Sequence, residues 1–187
     1  MKKTIEDIIN SSIEAKRRLL ETDLENLEKA ARSVVDCISK GGKLLLFGNG
    51  GSAADSQHIA AEFVGRFERE RRALPALALT TNTSTITALS NDYDYNVSFK
   101  RQVEAFGKKN DVAIAISTSG NAKNVLEAIK EAKTIGIKTI ALTGKGGGAL
   151  ARLCDISIIV QSDNTARIQE THILIGHIIA ELVEDSL

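Results

Sequence analysis

The sequence predicts an α/β fold in which a five-stranded parallel sheet is flanked by helices on both faces. Five short apolar runs recur along the chain, and segments with helical periodicity separate them. Each run is shorter than a typical core helix, so we interpret it as a strand buried on both faces. Strand alternating with helix is typical of a doubly wound parallel sheet. The 187 residues, 43% of them hydrophobic, are enough for a single domain, 1–187, with a full core.

Two helices open the chain and form an N-terminal helical segment, residues 1–40. Apolar residues recur at helical spacing from Ile5 to Ile38. Thr22 and Asp23 are suited to cap the second helix. A pair of glycines at 41–42 ends that helix. Residues 41–187 then form the α/β sandwich.

The remaining elements follow in alternation. Strands are predicted at 44–47, 76–79, 112–116, 138–142 and 156–160. Helices are predicted near 52–66, 84–90, 95–106, 122–135, 146–153 and 165–184. Ligands of such folds bind at the carboxyl ends of the strands, near a topological switch point. The candidate loops are therefore 48–52, 80–84, 117–121 and 143–148.

Composition excludes several classes of function. Lys plus Arg equals Asp plus Glu at 24 each, so we expect neither nucleic acid nor an anionic membrane surface as a partner. The charged start "MKKTIEDIINSS" does not resemble a signal peptide, and no apolar run approaches the length of a membrane span. Cys37 and Cys154 lie in apolar patterns without CxxC spacing, which predicts buried, reduced thiols. We expect a cytoplasmic protein.

The loop after the first strand has a weak dinucleotide-binding pattern. Gly48, Gly50 and Ala53 match G-x-G-x-x-A. That function also needs an acidic residue at the end of the second strand. The second strand and the residues after it have the sequence "ALALTTNTS", which contains no acidic residue. The run "TGKGGG" at 143–148 has the wrong order of glycine and lysine for a phosphate-binding P-loop, and we expect a flexible turn there.

The loop after the third strand is a stronger candidate for phosphate binding. Ser117, Thr118 and Ser119 precede Gly120 and Asn121, and a helix follows. Hydroxyls and free backbone N–H groups at a positive helix end form a phosphate cradle that needs no lysine. Ordinary N-capping is the alternative, but one cap residue would suffice for that. Three adjacent hydroxyls therefore favour phosphate.

The helix behind the first loop carries chemistry-bearing residues on one face. His58 and Glu62 are four residues apart, and Arg66 continues the same face. The ordinary alternative is an exposed stripe with weak surface ion pairs.

The last helix carries Gln169, His172 and His177 among isoleucines and leucines. Histidines in such a stretch are usually core or interface residues. Together with His58 and Glu62, however, neutral imidazole, carboxylate and amide oxygen form a plausible metal set, with zinc first. Spacing alone leaves both interpretations open.

Five segments together resemble one family: "GNGGSAADSQHIAAE", "LSNDYDYN", "ISTSGN", "LTGKGGG" and "ARIQETHILIGH". They are similar to the phosphoheptose isomerases of the sugar isomerase (SIS) domain superfamily, over nearly the whole chain. The "STSG" loop alone would indicate only the superfamily. The joint presence of His58, Glu62, Gln169 and His177 is far more specific.

The resemblance implies a flavodoxin-like SIS fold in a homotetramer, with N-terminal helices packing in the oligomer and active sites shared between subunits. It implies conversion of sedoheptulose 7-phosphate to D-glycero-D-manno-heptose 7-phosphate through an enediol, the first step towards nucleotide-activated heptose for bacterial surface polysaccharide. Two positions depart from some members. Ala122 stands where a serine often supplements the phosphate loop, and Ala166 where some members have aspartate.

The resemblance also assigns roles to individual residues. It implies one zinc ion per subunit, held by His58, Glu62, Gln169 and His177. Glu62 and His177 are the acid/base candidates. The substrate-binding set is Asn49, Gly50, Gly51, Ser52, Glu62, Arg66, Asn91, Asp92, Ser117, Thr118, Ser119 and Gln169, with the phosphate at 117–119. The first loop is then the floor of a sugar site rather than a nucleotide turn.

Two mechanistic questions stay open at the level of sequence. Glu62 cannot be a permanent tight ligand and a free base at once, so either its coordination is labile or His177 is the base. Gln169 and His177 are separated by roughly 12 Å along a helix and about 80° around it. Sharing one metal would require side chains that reach toward each other, a distorted helix, or two subunits.

Rival functions are a non-enzymatic SIS protein that binds a replication initiator and a regulatory domain that senses a sugar phosphate. Neither needs the complete glutamate and histidine set. An NAD-dependent enzyme ranks last.

Overall fold

A computed structural model describes residues 1–187 and contains one five-stranded sheet in the order β2-β1-β3-β4-β5. All neighbouring strands are parallel. The strands are β1 Leu44–Gly48, β2 Ala76–Ala78, β3 Val112–Ser117, β4 Lys138–Gly144 and β5 Ile156–Val160. The helices are α1 Lys2–Thr22, α2 Leu24–Ser39, α3 Gly51–Val64, α4 Thr83–Asp92, α5 Lys100–Phe106, α6 Lys123–Ile135, α7 Gly148–Leu153 and α8 Thr165–Asp185. The predicted fold class is confirmed.

The strand order creates a topological switch point between β1 and β3. After β1 the chain turns outward to the edge strand β2, and it then returns to the other side of β1 as β3. Gly48 pairs with Ile116, so the loops that follow these two strands begin side by side. Such a crevice is where ligands bind in open α/β sheets.

Two apolar layers cover the sheet. One face packs against α1, α2, α3 and α8, through residues such as Leu46, Ile114 and Ile175. The other face packs against α5, α6 and α7, through residues such as Phe47 and Ile129. Because α1 and α2 share the core of the first layer, we propose that residues 1–187 form one domain.

Asp23 does not cap α2 as predicted. It occupies the N-cap position, but its side chain forms no hydrogen bond with the helix backbone. Instead the carboxylate is buried and accepts a hydrogen bond from the Ile159 N–H, while Asn26 donates to the Ser157 carbonyl. Both contacts satisfy backbone groups of the edge strand β5, which has no strand partner on that side.

Two further predictions need correction. Strand β2 has only three residues, and Leu77 is exposed because β2 is an edge strand and not a strand buried on both faces. The helix predicted at 95–106 is interrupted: Tyr95–Val97 form a 3-10 turn before α5. Asp94 accepts a hydrogen bond from the Asn96 N–H, a local contact that competes with helix formation.

Neither cysteine forms a disulfide. Cys37 is buried, as predicted, whereas Cys154 is only half-buried. Burial raises the pKa of Cys37 to about 11 and that of Cys154 to about 12, so both are protonated thiols at neutral pH. None of the helices combines the length and the apolar character that crossing a membrane requires.

Candidate active site

Helices α3 and α8 lie side by side and bring three of the four predicted metal residues together, namely His58, Glu62 and His177. A Cβ atom on Gly176 would lie 2.5 Å from two carbons of Ile59, so the absence of a side chain at position 176 allows the close approach. Gln169 lies against Gly51, and Glu184 contacts the Phe67 N–H. The two helices therefore run in the same direction along their whole length.

His58, Glu62 and His177 form a cluster between these helices. The Nε2 atom of His58 lies 3.0 Å from Oε1 of Glu62 and 3.2 Å from Nε2 of His177. One ligand atom from each of the three residues lies within 4.8 Å of the others. The side chain of Glu62 is only 22% exposed, whereas that of His58 is 50% exposed. The stripe on α3 is thus half of a site completed by α8.

The donor set of this cluster fits a divalent metal such as zinc. Two ligand atoms at zinc distances on a tetrahedral ion lie roughly 3.3 Å apart. The separations of His58 Nε2 from its two neighbours, 3.0 and 3.2 Å, are close to that value. The two imidazole nitrogens face each other, and a carboxylate joins them, which is a common zinc ligand combination.

Gln169 is not part of this cluster within the chain. Its amide packs against Gly51 at the start of α3, so closely that a side chain at position 51 would collide with it. His58 lies seven residues further along α3, roughly 10 Å along the helix axis. The geometric difficulty noted for Gln169 and His177 is therefore present in the structure, and a ligand role for Gln169 stays a prediction.

An ion pair that sequence analysis missed anchors the end of α3 near Glu62. Arg71 donates to the backbone carbonyls of Glu62 and Phe63. Its Nε lies 3.0 Å from Oε1 of Glu184, an ion-pair contact without the alignment of a hydrogen bond. The sequence signal for it was a glutamate near the end of an apolar helix and an arginine within the charged stretch "FERERR".

Glu184 binds the other side of this junction. Its carboxylate accepts hydrogen bonds from the N–H groups of Phe67, Glu68 and Arg69. Burial by itself raises the pKa of Glu184. The three N–H donors and Arg71 outweigh that effect and lower the pKa from 4.5 to about 2. The ionised carboxylate therefore fixes the segment after α3 to α8, and with it the helix that carries His58 and Glu62.

Asp55 is a second residue that sequence analysis missed. It lies one turn before His58 on α3, and its Oδ2 atom is buried without a hydrogen-bond partner. Burial raises the pKa of Asp55 to about 6, and the nearby His58 partly offsets that rise. No periodicity argument marks this residue, because its environment depends on tertiary packing.

The loop after β3 has the properties of an anion site. The N-cap residue of α6 is Ala122, and no side chain caps the helix. Ser119 Oγ accepts a hydrogen bond from the Asn121 N–H, which lies outside the helix. Four backbone N–H groups near the start of α6 have no acceptor within the chain: those of Thr118, Ser119, Lys123 and Asn124. The capping interpretation of the serines is therefore wrong, and the donors are free for a ligand.

The run "TGKGGG" supports this loop and is not a free turn. The Leu150 N–H donates to the Gly120 carbonyl, and the Ala149 N–H donates to Oδ1 of Asn121. Gly120 has a φ of 64°, and a Cβ atom there would collide with the Gly147 backbone. The glycines thus permit two loops to pack backbone to backbone, which corrects the prediction of a flexible turn.

The loop after β1 begins with Asn49, which is held by two side chains from elsewhere in the fold. Its amide exchanges two hydrogen bonds of 2.9 Å with the amide of Asn124 in α6. The hydroxyl of Tyr95 donates to Oδ1 of Asn49 at 2.7 Å. Gly50 follows with a φ of 57°, Gly51 opens α3, and Ser52 is buried.

Three predicted substrate residues do not join these groups within one chain. Arg66 lies beyond the end of α3 at Val64, so it does not continue the helix face as predicted; it is exposed, and its Nε lies 3.8 Å from Oε2 of Glu70. Asn91 and Asp92 are exposed at the end of α4 and hydrogen-bonded to each other. Their roles in substrate binding stay predictions.

His172 belongs to the core. It is fully buried, and its Nε2 lies 3.0 Å from the Thr143 carbonyl, while Nδ1 has no partner. Burial lowers the pKa of His172 to about 4, against the opposing effect of that hydrogen bond. The ring is therefore neutral at physiological pH, with its proton on Nε2.

Comparison with known proteins identifies the family. A model described as "SIS domain" matches residues 9–144. The phosphoheptose isomerase of Clostridium acetobutylicum is 54% identical over 189 residues, covering 100% of this chain and 96% of that protein. The solved structure of phosphoheptose isomerase from Neisseria gonorrhoeae matches with a TM-score of 0.93 at 42% identity, over 100% of this chain and 99% of the other. That from Francisella tularensis matches with a TM-score of 0.94 at 40% identity, over 98% and 97%. This chain belongs to the phosphoheptose isomerases of the SIS domain family.

Proposed function

We propose that this protein isomerises sedoheptulose 7-phosphate to D-glycero-D-manno-heptose 7-phosphate. The cluster of His58, Glu62 and His177 carries the proposal, because a regulatory or initiator-binding SIS protein has no need for it. The free backbone N–H groups of Thr118, Ser119, Lys123 and Asn124 support binding of the terminal phosphate. The relatives named phosphoheptose isomerase match the chain over its whole length.

The reaction moves a proton between C1 and C2 of the sugar without net oxidation. One group removes a proton from carbon, and another exchanges a proton with the carbonyl oxygen. We assign these two steps to Glu62 and His177, both of which adjoin His58. Phosphate binding at the loop after β3 supplies remote binding energy that orients the reacting end of the sugar.

We assign the zinc ion of the proposal to His58, Glu62 and His177, which would hold it within one chain. Gln169, which lies against Gly51 in the same chain, would be a fourth ligand only in the assembled protein. A bound zinc ion supplies Lewis acidity towards a carbonyl or enediolate oxygen. If Glu62 is held as a ligand, His177 takes the larger share of proton transfer, and the reverse holds if its coordination is labile. Asp55, with its buried unpartnered oxygen, lies one turn from the ligand His58.

Assembly as a homotetramer with shared sites is part of the same proposal. Helix α1 leaves a row of isoleucines about half exposed: Ile5, Ile8, Ile9 and Ile13. Such a stripe on one face of a helix is suited to pack on another copy of the chain. A neighbouring subunit would also give Arg66, Asn91 and Asp92 a route to the sugar. Two unpaired thiols fit a reducing, cytoplasmic location.

The decisive assay incubates the purified protein with sedoheptulose 7-phosphate and traps the product with a heptose 7-phosphate kinase. Product formation that depends on protein concentration is the expected result. Tight binding of the sugar phosphate without turnover would favour a sensing function. Absence of both binding and turnover would favour a protein-binding function.

A further inference from the structure

The amide of Asn49 has a fixed polarity, because a backbone group determines the orientation of its partner. The Val125 N–H donates to Oδ1 of Asn124, so this atom is an oxygen and an acceptor. Asn124 is 2% exposed and has no freedom to reverse. It follows that Nδ2 of Asn124 donates to Oδ1 of Asn49, and that Nδ2 of Asn49 donates in return.

Tyr95 completes the set of partners. Its hydroxyl donates to the same Oδ1 of Asn49, so that oxygen accepts two hydrogen bonds and both its lone pairs are used. One of the two N–H bonds of Asn49 is used by Asn124. A single N–H is left without a partner, so Asn49 can only donate a hydrogen bond to a ligand.

We infer that Tyr95 is a positioning residue for the isomerase reaction, which holds Asn49 as an obligate hydrogen-bond donor to a sugar oxygen that gains negative charge. The inference rests on the proposed function. Two hydrogen bonds into the amide oxygen polarise the amide and strengthen its remaining N–H as a donor. A fixed donor of this kind stabilises an enediolate more than the neutral substrate.

The location of Tyr95 gives the contact a second consequence. It is the one side-chain hydrogen bond that joins residues 83–98 to the loop after β1. The same segment carries Asn91 and Asp92, two predicted sugar residues. Tyr95 thus couples the segment that carries Asn91 and Asp92 to the donor Asn49 in the loop after β1.

The test compares Tyr95→Phe with Tyr93→Phe as a matched control. The hydroxyl of Tyr93 forms no hydrogen bond within the chain, and its ring, which stacks with Arg101, is retained in phenylalanine. We expect Tyr95→Phe to lower kcat about tenfold with little change in KM, at an unchanged melting temperature. The same substitution should lower the affinity for a hydroxamate analogue of the enediolate by a similar factor. Tyr93→Phe should match the wild type in all of these measurements.

A double-mutant cycle tests whether Tyr95 acts through Asn49. In an Asn49→Ala background, Tyr95→Phe should have no further effect on kcat. A further tenfold loss of kcat in the Asn49→Ala background would overturn this inference and leave the proposed function intact. Equal kinetics of Tyr95→Phe and Tyr93→Phe in an active enzyme would do the same. A wild type that does not turn over sedoheptulose 7-phosphate would instead contradict the proposed function, and the inference with it.

Discussion

His172 and His177 are on the same helix, five residues apart, but their surroundings differ in every respect. His172 is fully buried, bonded to the Thr143 carbonyl, and has its pKa lowered by burial to about 4. His177 is half-buried, faces His58 and stacks near Phe67, with ring centroids 5.4 Å apart. The residue type alone therefore does not mark a site; the facing helix decides which histidine can meet a ligand.

The largest expected effect is a loss of turnover when His177 or Glu62 in the cluster is replaced. His177→Ala and Glu62→Gln should each lower turnover about 10²–10⁴-fold, because each removes a candidate proton-transfer group. Glu181→Gln, an exposed position on α8, is the control and should retain activity. Steady-state kinetics at matched concentration and oligomeric state measures the effect. Near-normal rates in both site variants would remove these residues from catalysis.

The converse substitution tests the structural side. His172→Ala should lower the free energy of unfolding by about 3 kcal/mol, because it leaves a cavity and an unpaired Thr143 carbonyl. Activity per folded molecule should change little. Denaturant unfolding and kinetics on the same preparation measure both quantities. A large loss of turnover with intact stability would make His172 a functional residue.

Acid titration sharpens the comparison further. The pKa of His172 is lowered from 6.5 to about 4 in the fold, so its stabilising effect is complete above pH 6.5 and is lost as pH falls towards 4. The full loss corresponds to about 3 kcal/mol. Asp55, whose burial raises its pKa to about 6, acts in the opposite direction in that window.

The useful measurement is therefore the difference in unfolding free energy between wild type and His172→Gln at each pH. That difference should shrink between pH 6.5 and 4. A difference independent of pH across this window would mean that His172 is not held neutral by the fold.

Metal removal addresses only His177 and its neighbours. Zinc at 100 times its Kd should stabilise the native protein by about 2.7 kcal/mol. Chelation should lower the melting temperature and activity, and zinc should restore both. His58→Ala should abolish the zinc response and leave the apolar packing intact, as judged by melting curves and light scattering. If the chelator shifts neither property of the metal-loaded wild type, the cluster contacts substrate directly.

The smallest expected effect concerns the other end of the substrate. Ser119→Ala should raise KM more than it lowers kcat. The lost binding free energy should be about 1.5–3 kcal/mol if the hydroxyl makes a charge-assisted hydrogen bond to the phosphate. Kinetics with the 7-phosphate sugar measures it, and Ser162→Ala, in the loop after β5, is a suitable control. An unchanged KM would mean that this hydroxyl does not contact the phosphate.

The sequence predicts the sheet and the α3 stripe well, because both depend on local periodicity. Strand-length apolar runs and the four-residue spacing of His58 and Glu62 are visible without tertiary information. The register of α8 against α3 is not visible, so neither the meeting of His177 with His58 nor the location of Gln169 against Gly51 could be derived from spacing.

Contacts between polar groups from distant segments were equally inaccessible. The pairing of Arg71 with Glu184 and that of Tyr95 with Asn49 join residues far apart in sequence. Asp23 illustrates the reverse error. A local capping rule assigned it to α2, but the unpaired edge of β5 offers its carboxylate a better partner in the folded chain.

Gly176 determines how closely α3 and α8 approach each other, and so how far apart His58 and His177 lie. The width of the gap between the two helices is set where Ile59 meets a bare backbone, one residue away from both His58 and His177. A single methyl group at position 176 would push the helices apart and lengthen the separation of the imidazoles, although neither ring was altered. The proposed affinity of this cluster for a metal therefore depends on a residue that has no ligand atom, and we expect Gly176→Ala to weaken it with every ligand side chain intact.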